Sequence, residues 1–315
     1  MKVVMPGGTG HVGQAIRRHL EPLGWQFVVL TRSPNKPGEV RWDGMTQGPW
    51  AKEIDGADVV INLAGRSVNC RYTKANLREM MDSRVNSVRA VGEAIANAKN
   101  PPRLWLQAST ATIYAHRFDA PNDEATGIIG GDEPSAPYKW TASIDIAKAW
   151  EEELFKAQTP RTRKIAMRSA MTMSVDRGCV FDVLATLARR GLGGQAGNGR
   201  QYVSWIHELD FVRSLQFLMD HEDMDGPVNI CSPNPLPNAQ FMRVLREFAG
   251  ARLALPTPAW ILEIGALFMR TETELILKSR RVVPKRLLDA GFDFRFPEWP
   301  EAAADLSRRW QRVDR

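Results

Sequence analysis

The sequence predicts an α/β chain built on a doubly wound parallel sheet, and three observations predict it. The chain opens on a short apolar run, Lys2 to Met5, that passes through Pro6-Gly7-Gly8-Thr9-Gly10-His11-Val12-Gly13 into an amphipathic segment and then a second apolar run, Trp25 to Leu30. Two later stretches, Ala57-Asp58-Val59-Val60-Ile61-Asn62-Leu63-Ala64-Gly65 and Leu104 to Ala108, are apolar almost without interruption, the pattern of strands covered on both faces. Between the runs lie segments of helical period, so strand and helix alternate.

Each element follows from its own residues. The first helix places Val12, Ile16, Leu20 and Leu23 on one face and turns Arg17 and Arg18 elsewhere. Gly24 suits a helix-ending residue in the left-handed conformation. Leu77, Met81, Val85, Val88, Val91 and Ile95 form the stripe of a second helix, and Leu104 to Ala108 is a strand entering Ser109-Thr110. Ile144, Ala147, Trp150 and Leu154 mark a third helix before a strand over Lys164 to Met167.

Composition bounds the function. At 315 residues, with 43% hydrophobic and 25% charged residues and a mean hydropathy of -0.31, the chain has two domain-lengths and a real core, which excludes disordered and collagen-like readings. No stretch approaches the roughly 18 apolar residues of a membrane span, and Met1 leads straight into Lys2-Val3-Val4-Met5 without a signal peptide's apolar core. A cytoplasmic protein with no membrane partner is expected. Cys70, Cys179 and Cys231 are too few and too scattered for a disulfide framework or a Cys-x-x-Cys metal site, so no metal is expected. Lys and Arg exceed Asp and Glu by 42 − 36 = 6, but they are dispersed, without a basic run interleaved with aromatics. The charge reads as solvated surface assisted by an anionic cofactor, and no nucleic-acid partner is expected.

The glycine turn indicates what that cofactor is. Gly7, Gly10 and Gly13 supply a tight turn, a surface without Cβ where a pyrophosphate touches backbone, and close helix-to-sheet packing; Thr9, His11 and Val12 complete the cradle at a helix N-terminus. At the end of the second strand, Thr31-Arg32-Ser33 offers a cation where an NAD site offers a carboxylate, and no acid follows until Glu39. This favours NADP(H) over NAD(H), a solvated strand-end arginine being the alternative. Asn62, Leu63, Ala64 and Gly65 let backbone approach an adenosine or ribose at the sheet's carboxyl edge.

Together with Arg71-Tyr72-Thr73, Asp82-Ser83-Arg84-Val85, Gly197 to Gln201 running into Ser204-Trp205-Ile206-His207, Gly226-Pro227-Val228-Asn229, and the segments Val282 to Leu288 and Gly291 to Pro297, these motifs resemble the extended short-chain dehydrogenase/reductases. The likeness is to the atypical epimerase/dehydratase-like, YfcH-like branch. The resemblance implies a Rossmann-type core of about seven strands over residues 1–170 plus 206–231. It also implies a smaller C-terminal substrate lobe over 171–205 plus 232–315, with the branch's C-terminal domain from about 265. The chain is expected to return from the lobe through a helix over His207–Met219 and a strand over Val228–Ile230, and to leave again through proline-dense Pro233 to Pro237 and Pro256 to Pro258. It further implies a small-molecule substrate of unknown identity and a monomer, or a homodimer formed through helices near 76–99 and 143–157.

The resemblance also directs attention to a Tyr-x-x-x-Lys pair, whose phenol transfers a proton while the lysine lowers its pKa. The pair is missing: one alignment puts Ser143 and Ala147 at these positions, and a shift by one puts Ile144 and Lys148 there. Thr110 matches the hydroxyl that orients the substrate, Ser109 beside it joins the cofactor-binding set, and Tyr138 and Tyr114 are the candidate replacement acids. In the lobe, Arg71 and Arg200 are candidate anion ligands, Trp205 a pocket wall and His207 a candidate donor, although capping suits the histidine better. Asp210 fits the first turn of the helix that follows. Sugar-nucleotide epimerases bind diphosphate with an arginine two residues before the aromatic of this segment; Val203 stands there, so that substrate class is not expected. Two functions remain: an NADP(H)-dependent oxidoreductase or epimerase-like enzyme on a small carbonyl or hydroxyl compound, and a non-catalytic NADP(H) sensor or scaffold.

Overall fold

The computed structural model describes residues 1–133, 137–251, 258 and 272–312. Seven strands pair in parallel in the order β10-β6-β5-β4-β1-β2-β3: β1 (Lys2–Pro6), β2 (Gln26–Thr31), β3 (Glu39–Arg41), β4 (Val59–Asn62), β5 (Leu104–Thr110), β6 (Arg163–Ser169) and β10 (Gly226–Ile230). Parallel neighbours demand crossovers, and helices α1 (His11–Leu20), α2 (Lys74–Asn97), α3 (Tyr138–Lys156) and α5 (Glu208–Asp220) supply them. The winding reverses between β1 and β4, where ligands bind in open α/β sheets.

Alternation along the strands feeds two cores. Val3 and Met5 point to the side covered by α1 and α5, meeting Ile16, Leu20, Phe211 and Leu215. Val4 points to the other side, where Trp42, Trp50, Trp105 and Trp150 pack with α2 and α3. A third cluster, with Phe181, Trp205, Phe241, Trp299 and Trp310, holds α4 (Val180–Leu187) and α6 (Asn238–Ala249) to the C-terminal helix Trp299–Arg312. Two small sheets serve this region: β7 (Met171–Met173) with β9 (Trp205–His207), and β8 (Tyr202–Val203) with β11 (Leu236–Pro237).

Two expectations about helix faces need correction. The first helix stops at Leu20, a 3-10 turn over Glu21–Leu23 follows, and Leu23 is 63% exposed. In α2 the inward residues are Leu77, Met80, Arg84, Val88, Val91 and Ile95, while Met81 and Val85 are only partly buried. The phase shifts because a charged residue, Arg84, is buried with its guanidinium 4.9 Å from the Trp150 ring centroid.

A cleft of about 850 Å³ at the strands' amino edge is lined by Arg103, Arg161, Arg163 and Lys164, whose donors go to carbonyls at helix ends: Arg161 to Ala98 and Lys99, Lys164 to Ala157, Arg163 to Leu218, Arg103 to Met219. Cations here complement the negative ends of three helices, which accounts for part of the positive charge.

At the carboxyl end, a buried polar bridge crosses from β5 to β10. Ser109 Oγ donates to Glu151, Arg168 makes two hydrogen bonds to the Glu151 carboxylate (2.9 and 2.8 Å), Arg168 Nη1 donates to Tyr114 Oη (2.9 Å), and the phenol donates to Asn229 Oδ1 (2.9 Å). The C-terminal part is tied to α5 by charge. Buried Asp210 accepts from the backbone N–H groups of Arg295 and Phe296 (2.8 and 2.7 Å), and Glu208 bridges Arg18 of α1 and Arg309. Asp210 thus holds another segment as well as placing a negative charge in the first turn of its own helix.

Glu151 and Arg168 are 7% and 8% exposed, so removing one partner strands the other's charge. Glu151→Ala is expected to cost about 3–5 kcal/mol in urea unfolding, and Glu151→Gln less, because the amide still accepts from Arg168.

Candidate functional site

The glycine turn is shaped by what would collide. Gly7 sits at φ +75°, and a Cβ there would lie 2.8 Å from the backbone of Ala64, so the turn is pressed onto the exit of β4. A Cβ on Gly13 would fall 2.3 Å from the Gly8 carbonyl oxygen, which fixes α1 against the turn. Gly10 differs: its nearest neighbour would be the Gly7 carbonyl at 3.7 Å, and it is exposed. Gly10 is also the N-cap of α1 with no side chain capping the helix, so first-turn N–H groups face outward. A phosphate fits this opening, with Thr9, His11 and Val12 around it.

At the end of β2, Arg32 is exposed and has no ion-pair partner among the described residues, while Thr31 Oγ1 accepts from Ser33 N. The carboxylate of Glu39 is turned into its own loop, accepting from the N–H groups of Asn35 (2.7 Å) and Lys36 (3.2 Å). The strand end therefore presents a cation, and the Glu39 carboxylate is spent within its own loop. At the end of β4, Asn62 is buried, donating to Gln107 (2.9 Å) and accepting from Ala64 N (3.0 Å), and Leu63 N–H goes to Pro6 O. These residues build the crevice wall with groups already spent, and the Ser109 hydroxyl is likewise committed to Glu151.

A second cluster lies past the ends of β4 and β5. Tyr72 precedes α2, whose N-cap Thr73 accepts from Asn76 N; the Tyr72 N–H donates to Glu272 Oε1 (2.7 Å), and its ring packs with Leu77 and Met80 of α2 and Ile146 of α3. Ser143 Oγ donates to Glu274 Oε2 (2.9 Å), Glu274 pairs with Arg280 (3.2 Å), and Arg280 Nε donates to Thr112 Oγ1 (3.0 Å). Lys278 Nζ donates to the Thr112 carbonyl (2.7 Å). Glu272 also meets Lys139 (2.9 Å) and Arg71 (3.4 Å). The segment 272–280 thus places two acids and two cations against three strand and helix ends of the core.

Electrostatics sets the protonation of this cluster. Burial, with Glu274 nearby, pushes the Tyr72 phenol well above the usual tyrosine range, so it keeps its proton at neutral pH. Burial pulls Arg84 down to about 10, still cationic at neutral pH. Burial and then Arg280 bring Lys278 down to about 7, against the opposing charges of Glu274 and Glu133.

The remaining expected residues are placed elsewhere. Thr110 ends β5 half-buried, its hydroxyl accepting from Thr112 N (3.1 Å). Tyr114 is in the buried bridge to Arg168 and Asn229, and Tyr138 begins α3 70% exposed. Trp205 is fully buried against Trp299, so it is core and not a pocket wall. His207 caps α5, its Nδ1 accepting from Leu209 N (3.1 Å) while Nε2 faces Asp305. Arg200 is exposed on a turn. Tyr72, Ser143, Glu274 and Arg280 were not singled out as site residues by sequence reasoning; the position of Ser143 at the missing tyrosine was the one available signal.

Residues 3–231 match the NAD dependent epimerase/dehydratase family, and residues 257–306 match a domain of unknown function, DUF1731. The human epimerase family protein SDR39U1 is 28% identical over 311 residues, covering 97% of this chain and 99% of the relative. The crystal structure of human SDR39U1 (isoform2) with NADPH superposes with a TM-score of 0.85 at 26% identity, covering 98% and 99% of the two chains. MoeE5 in complex with UDP-glucuronic acid and NAD, at 18% identity, a TM-score of 0.74 and 99% coverage of both chains, shares the fold.

For Lys278 the sign is fixed by the direction of its shift. Between about 7 and the ordinary 10.5 the unfolded chain holds a proton that the folded chain lacks, so stability rises with pH across that window and is lost as pH falls through 7. The stability difference between wild type and Lys278→Met is expected to move in favour of wild type from pH 7 to pH 9 in urea unfolding.

Proposed function

Because the chain belongs to the NAD dependent epimerase/dehydratase family, we propose that it binds NADP(H) and acts as an oxidoreductase or epimerase-like enzyme on a small carbonyl or hydroxyl compound. The observation that carries the cofactor reading is the pairing of an open Gly10 at the N-terminus of α1 with Arg32 at the end of β2. The first suits a pyrophosphate and the second a ribose 2′-phosphate, whose double charge a carboxylate would repel. The NADPH in the human SDR39U1 structure supports this choice, while the NAD of MoeE5 leaves the preference resting on Arg32.

When bound, the nicotinamide supplies or accepts a hydride. The chain's own share is to hold it against the ends of β4 and β5 and to manage a proton at the substrate oxygen. No tyrosine in the chain is followed four residues later by a lysine, so the usual phenol and ammonium on one helix face do not serve here. Thr110, whose hydroxyl donates to no group among the described residues, is the residue proposed to orient a substrate oxygen. Cys70, Cys179 and Cys231 are free, which supports a reducing, cytoplasmic setting.

A sensor or scaffold is the second reading. It is favoured by the crowding of Glu274, Lys278 and Arg280 into the region past β5, which couples residues 272–280 to the crevice without requiring turnover.

Wild type is expected to bind NADPH more tightly than NADH in a fluorescence titration, and Arg32→Ala to weaken NADPH by about tenfold to a hundredfold with NADH unchanged, the range of a lost charged hydrogen bond. Equal wild-type affinities would remove the NADP preference. Gly10→Ala is expected to keep the thermal midpoint yet weaken NADPH by about tenfold or more, or 1.4 kcal/mol. Gly13→Ala is expected to lower the midpoint itself, since its Cβ meets backbone.

A further inference from the structure

We propose that Arg41 is a second specificity-determining residue of the cofactor site, closing with Arg32 on the 2′-phosphate of NADP(H). The inference deepens the cofactor reading above and rests on it. β3 is the last strand of the sheet, and its register sets Arg41 beside Thr31, the residue before Arg32. Paired strands lie about 4.8 Å apart, so the two arginines start from neighbouring strand ends. The backbone is knit across the carboxyl edge here: Gly7 N donates to Leu30 O (3.0 Å), and Trp42 N donates to Thr31 O (2.9 Å). The glycine turn, the end of β2 and the end of β3 therefore form one row, with the site suited to pyrophosphate at one end and Arg41 at the other.

Strand alternation turns Arg41 to the side where that site opens. Val40 and Trp42 pack into the core on the α2 and α3 side, so Arg41 between them faces the side of the sheet that α1 covers. The acids two residues to either side of it are spent on their own turns. Glu39, on the same face of β3, accepts from the N–H groups of Asn35 and Lys36. Asp43 accepts from the N–H groups of Met45 and Thr46 (2.9 Å each) and from the Thr46 hydroxyl. Arg41 is exposed and, like Arg32, has no ion-pair partner among the described residues.

A phosphate dianion suits this arrangement. Each guanidinium offers a planar fork of N–H donors, and two of them on neighbouring strand ends can share the oxygens of one phosphate. Side by side without an anion they repel each other, so a bound 2′-phosphate removes an unfavourable interaction as well as adding favourable ones. The 2′-hydroxyl of NADH offers neither gain. Discrimination between the two cofactors is thereby divided between Arg32, on the loop that leaves β2, and Arg41, whose backbone is fixed in the sheet.

The test needs no known substrate. In calorimetric titrations of the full chain, Arg41→Ala is expected to weaken NADPH by about tenfold or more and to leave NADH within about twofold, as the loss of a charged hydrogen bond to the 2′-phosphate would. The thermal midpoint of the cofactor-free protein is expected to be retained or raised, because a repulsion is removed. Arg32→Ala is expected to keep part of the preference for NADPH, and Arg32→Ala combined with Arg41→Ala to abolish it. Lys52→Ala, which removes an exposed cation elsewhere, is expected to change neither affinity. An NADPH affinity unchanged in Arg41→Ala overturns the proposal, as does an equal loss for NADPH and NADH, or a loss in Lys52→Ala as large as that in Arg41→Ala; each leaves the cofactor reading intact. A wild type that binds NADPH and NADH equally overturns the cofactor reading, and the inference with it.

Discussion

The close approach of Gly7 to Ala64 is the constraint on which the rest depends. It occurs where the winding of the sheet reverses, and only a residue without a side chain and at ease with positive φ can make it. Because the turn lies flat on the exit of β4, the N-terminus of α1 opens toward the crevice, and the residues that follow β4 are directed along its rim. Tyr72 packs on Ile146 of α3 by that route, and Arg84 reaches back to Gly65 from the helix that begins just after it.

The opposite contribution comes from far along the chain. Asp210 and Glu208 in α5 hold the segment around Arg295 and the C-terminal helix, so the stretch from Glu272 to Arg280 meets a prepared edge of the core. Two chemically different regions result: a backbone cradle suited to phosphate, and a side-chain cluster whose buried charges compensate one another. The first needs only local geometry. The second is costly unless its polar atoms are paired, and the chain of contacts from Ser143 through Glu274 and Arg280 to Thr112 meets that demand.

What could be read from the sequence follows the same division. The glycine turn and the first strand-helix-strand unit are legible because their residues are neighbours and their physical roles are local. The phase of α2 was misread because a buried arginine breaks the apolar stripe, and what shelters it is Trp150, on another helix. Asp210 was legible as a first-turn charge but not as the acceptor for a backbone 85 residues on. Likewise Tyr114 and Tyr138 stand out by their distance in sequence to expected motifs, whereas the partner of Ser143, Glu274, lies 131 residues on, where no sequence spacing reveals it.

The contact between Ser143 and Glu274 spans 131 residues. At synthesis rates of about 5–20 residues per second, the glutamate is made roughly 7 to 26 s after the serine. The glycine turn, β4 and α3 are thus all made before the segment that carries Glu274 and Arg280. The two sides of the Ser143–Glu274 contact therefore enter the fold at different times, and the later one closes it.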